Sequence, residues 1–118
     1  MTLRRNPPWR SLYNRPQMTT SNPTVTVAKD LADLIPVFFT NRHKELESLR
    51  SALARKDFEQ LRHLGHRMKG VGTSYGFTTV SEIGKRIENG ARSSDRNAIE
   101  ACIGEYADYL SKVQVVYE

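Results

Sequence analysis

His66 is the residue best placed to do chemistry in this 118-residue chain. It stands in "LGHRMKGVGTSYGF", residues 64–77, which has helical spacing yet carries Gly65, Gly70, Gly72 and Gly76. Each glycine costs roughly 1 kcal/mol against alanine in a helix interior, so something must offset that loss. At about 100° per residue the apolar stripe of this helix centres near Leu61 and Met68, and His66 lies about 160° away. The ring is therefore expected to face water from the middle of a helix. Its neighbours on that face are Arg62, Lys69, Gly70 and Thr73.

A neutral imidazole is a competent nucleophile. Arg62 and Lys69 oppose a further positive charge on the ring, and both would offset the charge of a phosphate attached to it. Gly70 has no side chain and leaves open space beside the ring for a bulky reacting group. Gly65 and Gly72 fall on the buried side, where they let a facing helix come close. Phosphoryl transfer needs positioning and charge stabilisation more than covalent machinery. One exposed histidine on a rigid helix can thus be the whole active surface, provided that a partner supplies the metal and the donor or acceptor.

The elements that must hold this face follow from apolar spacing. Residues 1–26 are rich in Pro, Asn, Thr, Ser and Arg without an apolar period, and read as a disordered basic tail; Met18 within it is a second possible start. From residue 27 to 118 helical spacing recurs and no strand-type alternation of useful length is evident. A short helix is expected over about 28–35. A second, opened by Pro36, runs to about 55 with Ile35, Phe38, Phe39, Leu46, Leu49 and Leu53 on one side. Arg42 falls inside that stripe and is expected to snorkel at the bundle edge. Asp57 caps a third helix over about 58–75. "TVSE", residues 79–82, matches a capping box, so a fourth begins near 80 and buries Val80, Ile83, Gly84, Ile87 and Ala91. Ser94 or Asn97 caps a fifth, which buries Ile99, Cys102, Ile103, Tyr106, Leu110 and Val113. The fold class is all-α: an antiparallel up-and-down four-helix bundle with the short N-terminal helix capping one end.

Composition narrows the function. The net charge is +5, but Arg4, Arg5, Arg10 and Arg15 lie in a tail without acids and the body is nearly balanced. That is a poor nucleic-acid footprint. No apolar run approaches the length of a membrane span, and the basic N-terminus lacks the apolar segment of a signal peptide. Cys102 is the single cysteine, which suits a reducing compartment. A cytoplasmic monomer is expected.

"HRMKGVGTSYGF" resembles the signature of histidine-containing phosphotransfer (HPt) domains: His66, Lys69-Gly70, Gly72 and Tyr75-Gly76 stand at the family's positions. "ELESLRSALARKDFEQLRHLGH" before it and "IGKRIENGARSSD" after it also resemble the family, and the likeness spans about residues 28–115. The resemblance implies that Nε2 of His66 accepts a phosphoryl group from a receiver-domain aspartate, or from a sensor kinase, and passes it to a response-regulator aspartate. It implies that Lys69 helps hold the phosphate and that Gly70 gives the receiver room, with Arg62, His63 and Thr73 on the same docking face. It aligns Glu88 with a side chain that bonds the histidine ring, where several relatives have Gln. A carboxylate there would fix the ring through Nδ1–H, and would repel a phosphate brought too close. The expected partner is the receiver domain of a response regulator or hybrid histidine kinase. No nucleotide-binding loop is present, so no kinase activity and no cofactor of its own are expected; magnesium would come from the receiver.

Two other readings compete. Glu59, His63 and His66, at i, i+4 and i+7, share one arc. A metal site could use such a set, but it would face a bundle interior and draw carboxylates from other helices, whereas this arc faces water. Alternatively the chain is a helical interaction module whose histidine is idle.

Overall fold

The computed structural model describes residues 22–118. The expected disordered tail therefore lies outside the described residues, apart from 22–26. Within that remainder the chain forms a strand, β1 (Thr24–Val27), which pairs in parallel with β2 (Gln114–Tyr117) in the register Thr24↔Gln114 to Val27↔Tyr117. Spacing does not reveal these strands because each has only four residues. They are rich in β-branched residues and come from opposite ends of the described chain. The ordered fold thus takes in residues before the expected boundary at 27.

Lys29–Leu34 forms a short helix of the 3-10 type where a short helix over about 28–35 was expected. Four α-helices follow: α1 (Ile35–Ala54), α2 (Phe58–Tyr75), α3 (Thr78–Arg92) and α4 (Arg96–Lys112). Pro36 sits in the first turn of α1, where its missing N–H leaves nothing unsatisfied. Asp57 caps α2 as expected, accepting from the Gln60 N–H at 3.0 Å. Gly76 ends α2 in the left-handed conformation, φ +82°, which glycine adopts without strain.

Two expected caps do not form. The helix after Gly76 starts at Thr78 with Phe77 at the N-cap and no side-chain cap bond. Phe77 is fully buried, stacked on Phe38 with ring centroids 4.5 Å apart, and that anchor fixes the entry of α3 ahead of the "TVSE" box. The cap of α4 is Asp95, which accepts from the Ala98 N–H at 3.1 Å. Ser94 stands in the left-handed region of the link, φ +53°, and Asn97 is already helical.

The helices contact one another in the ring α1–α2–α3–α4–α1 around one core. Leu49, Leu61, Met68, Ile87, Ile99 and Tyr106 are fully buried at its centre. The expected apolar stripes all face inward, with Phe39, Leu53, Phe58, Val71, Tyr75 and Val113 partly buried at the margins.

Arg42 departs from expectation. It is buried, not at the edge: its Nε donates to Glu45 Oε1 at 3.0 Å and its guanidinium lies 4.9 Å from the Phe38 ring centre. Glu45 is buried too, and takes a second hydrogen bond from the Tyr106 hydroxyl at 2.8 Å. A planar guanidinium paired with a carboxylate and laid over a ring tolerates burial better than an ammonium. Burial, and then the charge of Glu45, push the Tyr106 hydroxyl far above its ordinary value.

Candidate functional site

The site is built where α2 and α3 come almost into backbone contact. A Cβ on Gly65 would stand 2.7 Å from both Glu88 N and Gly84 O, and one on Gly84 would stand 2.6 Å from Met68 Cβ. A Cβ on Gly72 would fall 2.5 Å from Ser81 N. Three glycines thus remove the side chains that would hold the helices apart, and the backbones approach closely enough for α3 to place a carboxylate beside the α2 histidine. The Ser81 hydroxyl reinforces the contact by donating to the Lys69 carbonyl.

His66 projects outward with its side chain 64% exposed. Its Nδ1 lies 3.1 Å from Glu88 Oε2. Glu88 is itself only 2% exposed and gathers three partners: His66, Arg92 at 3.0 Å on the same Oε2, and Lys69 Nζ at 3.3 Å on Oε1. Burial pushes the Glu88 carboxyl up, but hydrogen bonds from Lys69 and His66 and the charges of Lys69 and Arg92 outweigh it and hold the carboxyl below its ordinary value. An ionised carboxylate only accepts hydrogen bonds. Facing this acceptor, the neutral ring is bonded in the tautomer with its proton on Nδ1, which leaves the lone pair on Nε2, an atom with no protein partner among the described residues.

The rest of the expected face divides. Beside the ring, a Cβ on Gly70 would meet nothing within 4 Å, so the space expected there is open. Lys69 is half-exposed and close to the ring through their shared partner Glu88. Arg62 and His63 are both on the face, yet both turn to Glu59, at 2.9 and 3.1 Å. The hydrogen bond and charge of Arg62 hold the Glu59 carboxyl below its ordinary value. The Thr73 hydroxyl is engaged too, with the Lys69 carbonyl at 3.1 Å and the Ser81 hydroxyl at 2.8 Å. Of the three residues that share an arc, Glu59 meets His63 while His66 turns away to Glu88, and no three His, Cys, Asp or Glu side chains converge on one position among the described residues.

Arg92 also belongs to the site, although the sequence reading does not single it out. Its signal is present there, since Glu88 and Arg92 stand at i and i+4 on one helix with the orientation that favours an ion pair. A second feature is apolar. Leu34 and Val37 are 47% and 59% exposed at the end of α1 where Phe38 packs 4.8 Å from the Tyr75 ring.

Residues 33–115, well over half of the chain, match the family model described as Hpt domain. No significant match is found among curated proteins or among solved structures. The family match covers all four helices and the whole His66–Glu88 cluster, and the chain belongs to the Hpt domain family, the histidine-phosphotransfer modules of two-component signalling.

Proposed function

We propose that His66 is the phosphoryl carrier of a phosphorelay. Nε2 attacks the phosphorus of an aspartyl phosphate on a receiver domain; the P–Nε2 bond forms as the P–O bond breaks and the aspartate leaves as carboxylate. The reverse sequence, against a second receiver, passes the group on. The observation that carries this reading is a ring 64% exposed, tied at Nδ1 to a buried carboxylate and bordered by open space at Gly70. Such a ring is rigid, in the nucleophilic tautomer, and reachable.

Lys69 is the residue we assign to the phosphoryl oxygens. Half-exposed and held by one contact to Glu88, it can turn outward and form a charge-assisted bond. Gly70 admits the receiver, and Arg62, His63 and Thr73 border the contact. Leu34 and Val37 offer it an apolar margin. The short links between helices favour the antiparallel up-and-down arrangement. Magnesium belongs to the receiver, and the module acts without kinase activity of its own. A monomer in the cytoplasm suits this role, and no described helix is long and apolar enough to cross a membrane.

The test is a receiver domain phosphorylated by acetyl phosphate and mixed with the protein. Label is expected to move to the wild type and not to His66→Gln, with both proteins giving the same helical circular dichroism. Label on the variant would refute the assignment, and no label on either would favour an interaction module with an idle histidine.

A further inference from the structure

Glu88 is a carboxylate in direct contact with the ring, so it also acts on the phosphorylated state. Once phosphorus is bonded to Nε2, the ring carries both that bond and the Nδ1–H, and so bears a positive charge. Its fate depends on the Nδ1 proton. With the proton in place, the P–N bond breaks to release a neutral imidazole. Without it, the leaving group is an imidazolate, which is far poorer. Glu88 Oε2, 3.1 Å from Nδ1, stabilises the protonated form by a charge-assisted hydrogen bond.

We propose that Glu88 is a positioning residue that keeps the phosphorylated His66 protonated at Nδ1, and hence labile, and that Arg92 anchors the carboxylate while Lys69 engages the phosphoryl group. The inference rests on the reading of His66 as phosphoryl carrier. The arrangement has spare capacity for this exchange. Lys69 holds Oε1 alone, whereas His66 and Arg92 share Oε2, so Lys69 can leave with two partners still on the carboxylate. Arg92 also lies one helical turn beyond Glu88 on α3 and screens its charge from the phosphate. The charged groups facing the ring are Glu88 and Arg92 from α3 and Arg62 and Lys69 from α2; Arg62 is in turn paired with Glu59.

The reaction followed in the test is hydrolysis. Water adds to phosphorus, the P–Nε2 bond breaks, and the ring leaves as neutral imidazole with Nδ1–H while dihydrogen phosphate forms from the phosphoryl group and the water. Charge and atoms balance without a further reactant. At pH values where the Nδ1 proton is lost the rate falls, so the rate against pH has a midpoint set by that proton.

The protein is charged chemically with phosphoramidate, which phosphorylates histidine with loss of ammonia and requires no receiver. The lifetime of the phosphorylated protein is then measured against pH for the wild type, Glu88→Gln and Arg92→Gln. Replacing a charged acceptor with a neutral one weakens the hydrogen bond by about the equivalent of one pH unit. For Glu88→Gln the midpoint is expected to move down by about one unit, with a lifetime roughly tenfold longer above it. Arg92→Gln removes a positive charge and leaves the carboxylate facing the Nδ1–H of the ring. Its midpoint is expected to move up. Opposite shifts are a result that general loosening of the site does not give. Coincident profiles for wild type and Glu88→Gln, or a longer wild-type lifetime, would overturn the proposal. If the charged protein shows the expected profiles but never discharges to a receiver, the relay reading fails and the role of Glu88 stands.

Discussion

Alanine at Gly65 and at Gly70 should change stability in opposite directions, although the two positions are five residues apart on one helix. Both substitutions gain about 1 kcal/mol of helix propensity. At Gly70 nothing opposes the gain, since a Cβ would meet no atom within 4 Å. Gly70→Ala should therefore stabilise the fold by about 1 kcal/mol and raise the midpoint of thermal unfolding by roughly 4–8 °C. At Gly65 the new Cβ would lie 2.7 Å from Glu88 N and 2.7 Å from Gly84 O. Both are backbone atoms of α3, so relief requires the helices to separate. Overpacking of this kind reaches about 3 kcal/mol, and subtracting the propensity gain leaves a net loss of about 2 kcal/mol. The midpoint should fall by roughly 8–16 °C. Thermal denaturation followed by far-ultraviolet circular dichroism measures both. A Gly65→Ala protein as stable as the wild type would refute the close helix contact on which the placing of Glu88 depends.

Lys69→Ala should slow transfer from a phosphorylated receiver by roughly 10–100-fold, the equivalent of one charge-assisted hydrogen bond, with little change in thermal midpoint; an unchanged rate in a rapid-quench assay would contradict its phosphate role. Gly70→Gln should weaken receiver binding by roughly tenfold or more in a titration while leaving the helix intact; equal affinity would contradict the account of that open space. Arg42→Ala should destabilise by about 3–5 kcal/mol because it leaves Glu45 buried with only the Tyr106 hydroxyl, and a chemical-denaturation loss below about 1 kcal/mol would show that the pair is not buried as described. The Glu88 and Glu105 carboxyls are held below their ordinary value of 4.5, Glu105 chiefly by the hydrogen bond from Arg86. Their contribution to stability is complete above about pH 4.5 and is lost as pH falls through the lower folded-state values. Denaturation across this acid range should therefore show a decline that is smaller in Glu105→Gln, and an equal decline would remove that pair as a contributor.

Much of this was legible in the sequence, and the reasons are particular. The outward direction of His66 followed from helical period alone, because Leu61, Leu64 and Met68 make a strong stripe. The cap at Asp57 followed from local chemistry. What escaped depends on contacts between distant residues. Pairing of β1 with β2 joins two four-residue segments nearly the whole described chain apart. Burial of Arg42 needs Tyr106 from α4 to complete the network around Glu45. The capping box at 79–82 lost to Phe77, whose burial against Phe38 outweighs a cap hydrogen bond. Contact between Glu88 and the His66 ring followed from family resemblance, not from spacing, and the part of Arg92 needed the geometry of both helices.

The most direct measurement is the site of phosphorylation itself. The protein, labelled with nitrogen-15 in its histidine rings, is charged by a phosphorylated receiver and observed by nuclear magnetic resonance. Phosphorus is expected on Nε2 of His66, with Nδ1 still carrying its proton, and the rings of His43 and His63 unmodified. Phosphorus on His63, which shares the exposed face of α2, or on Nδ1 of His66, would contradict the account.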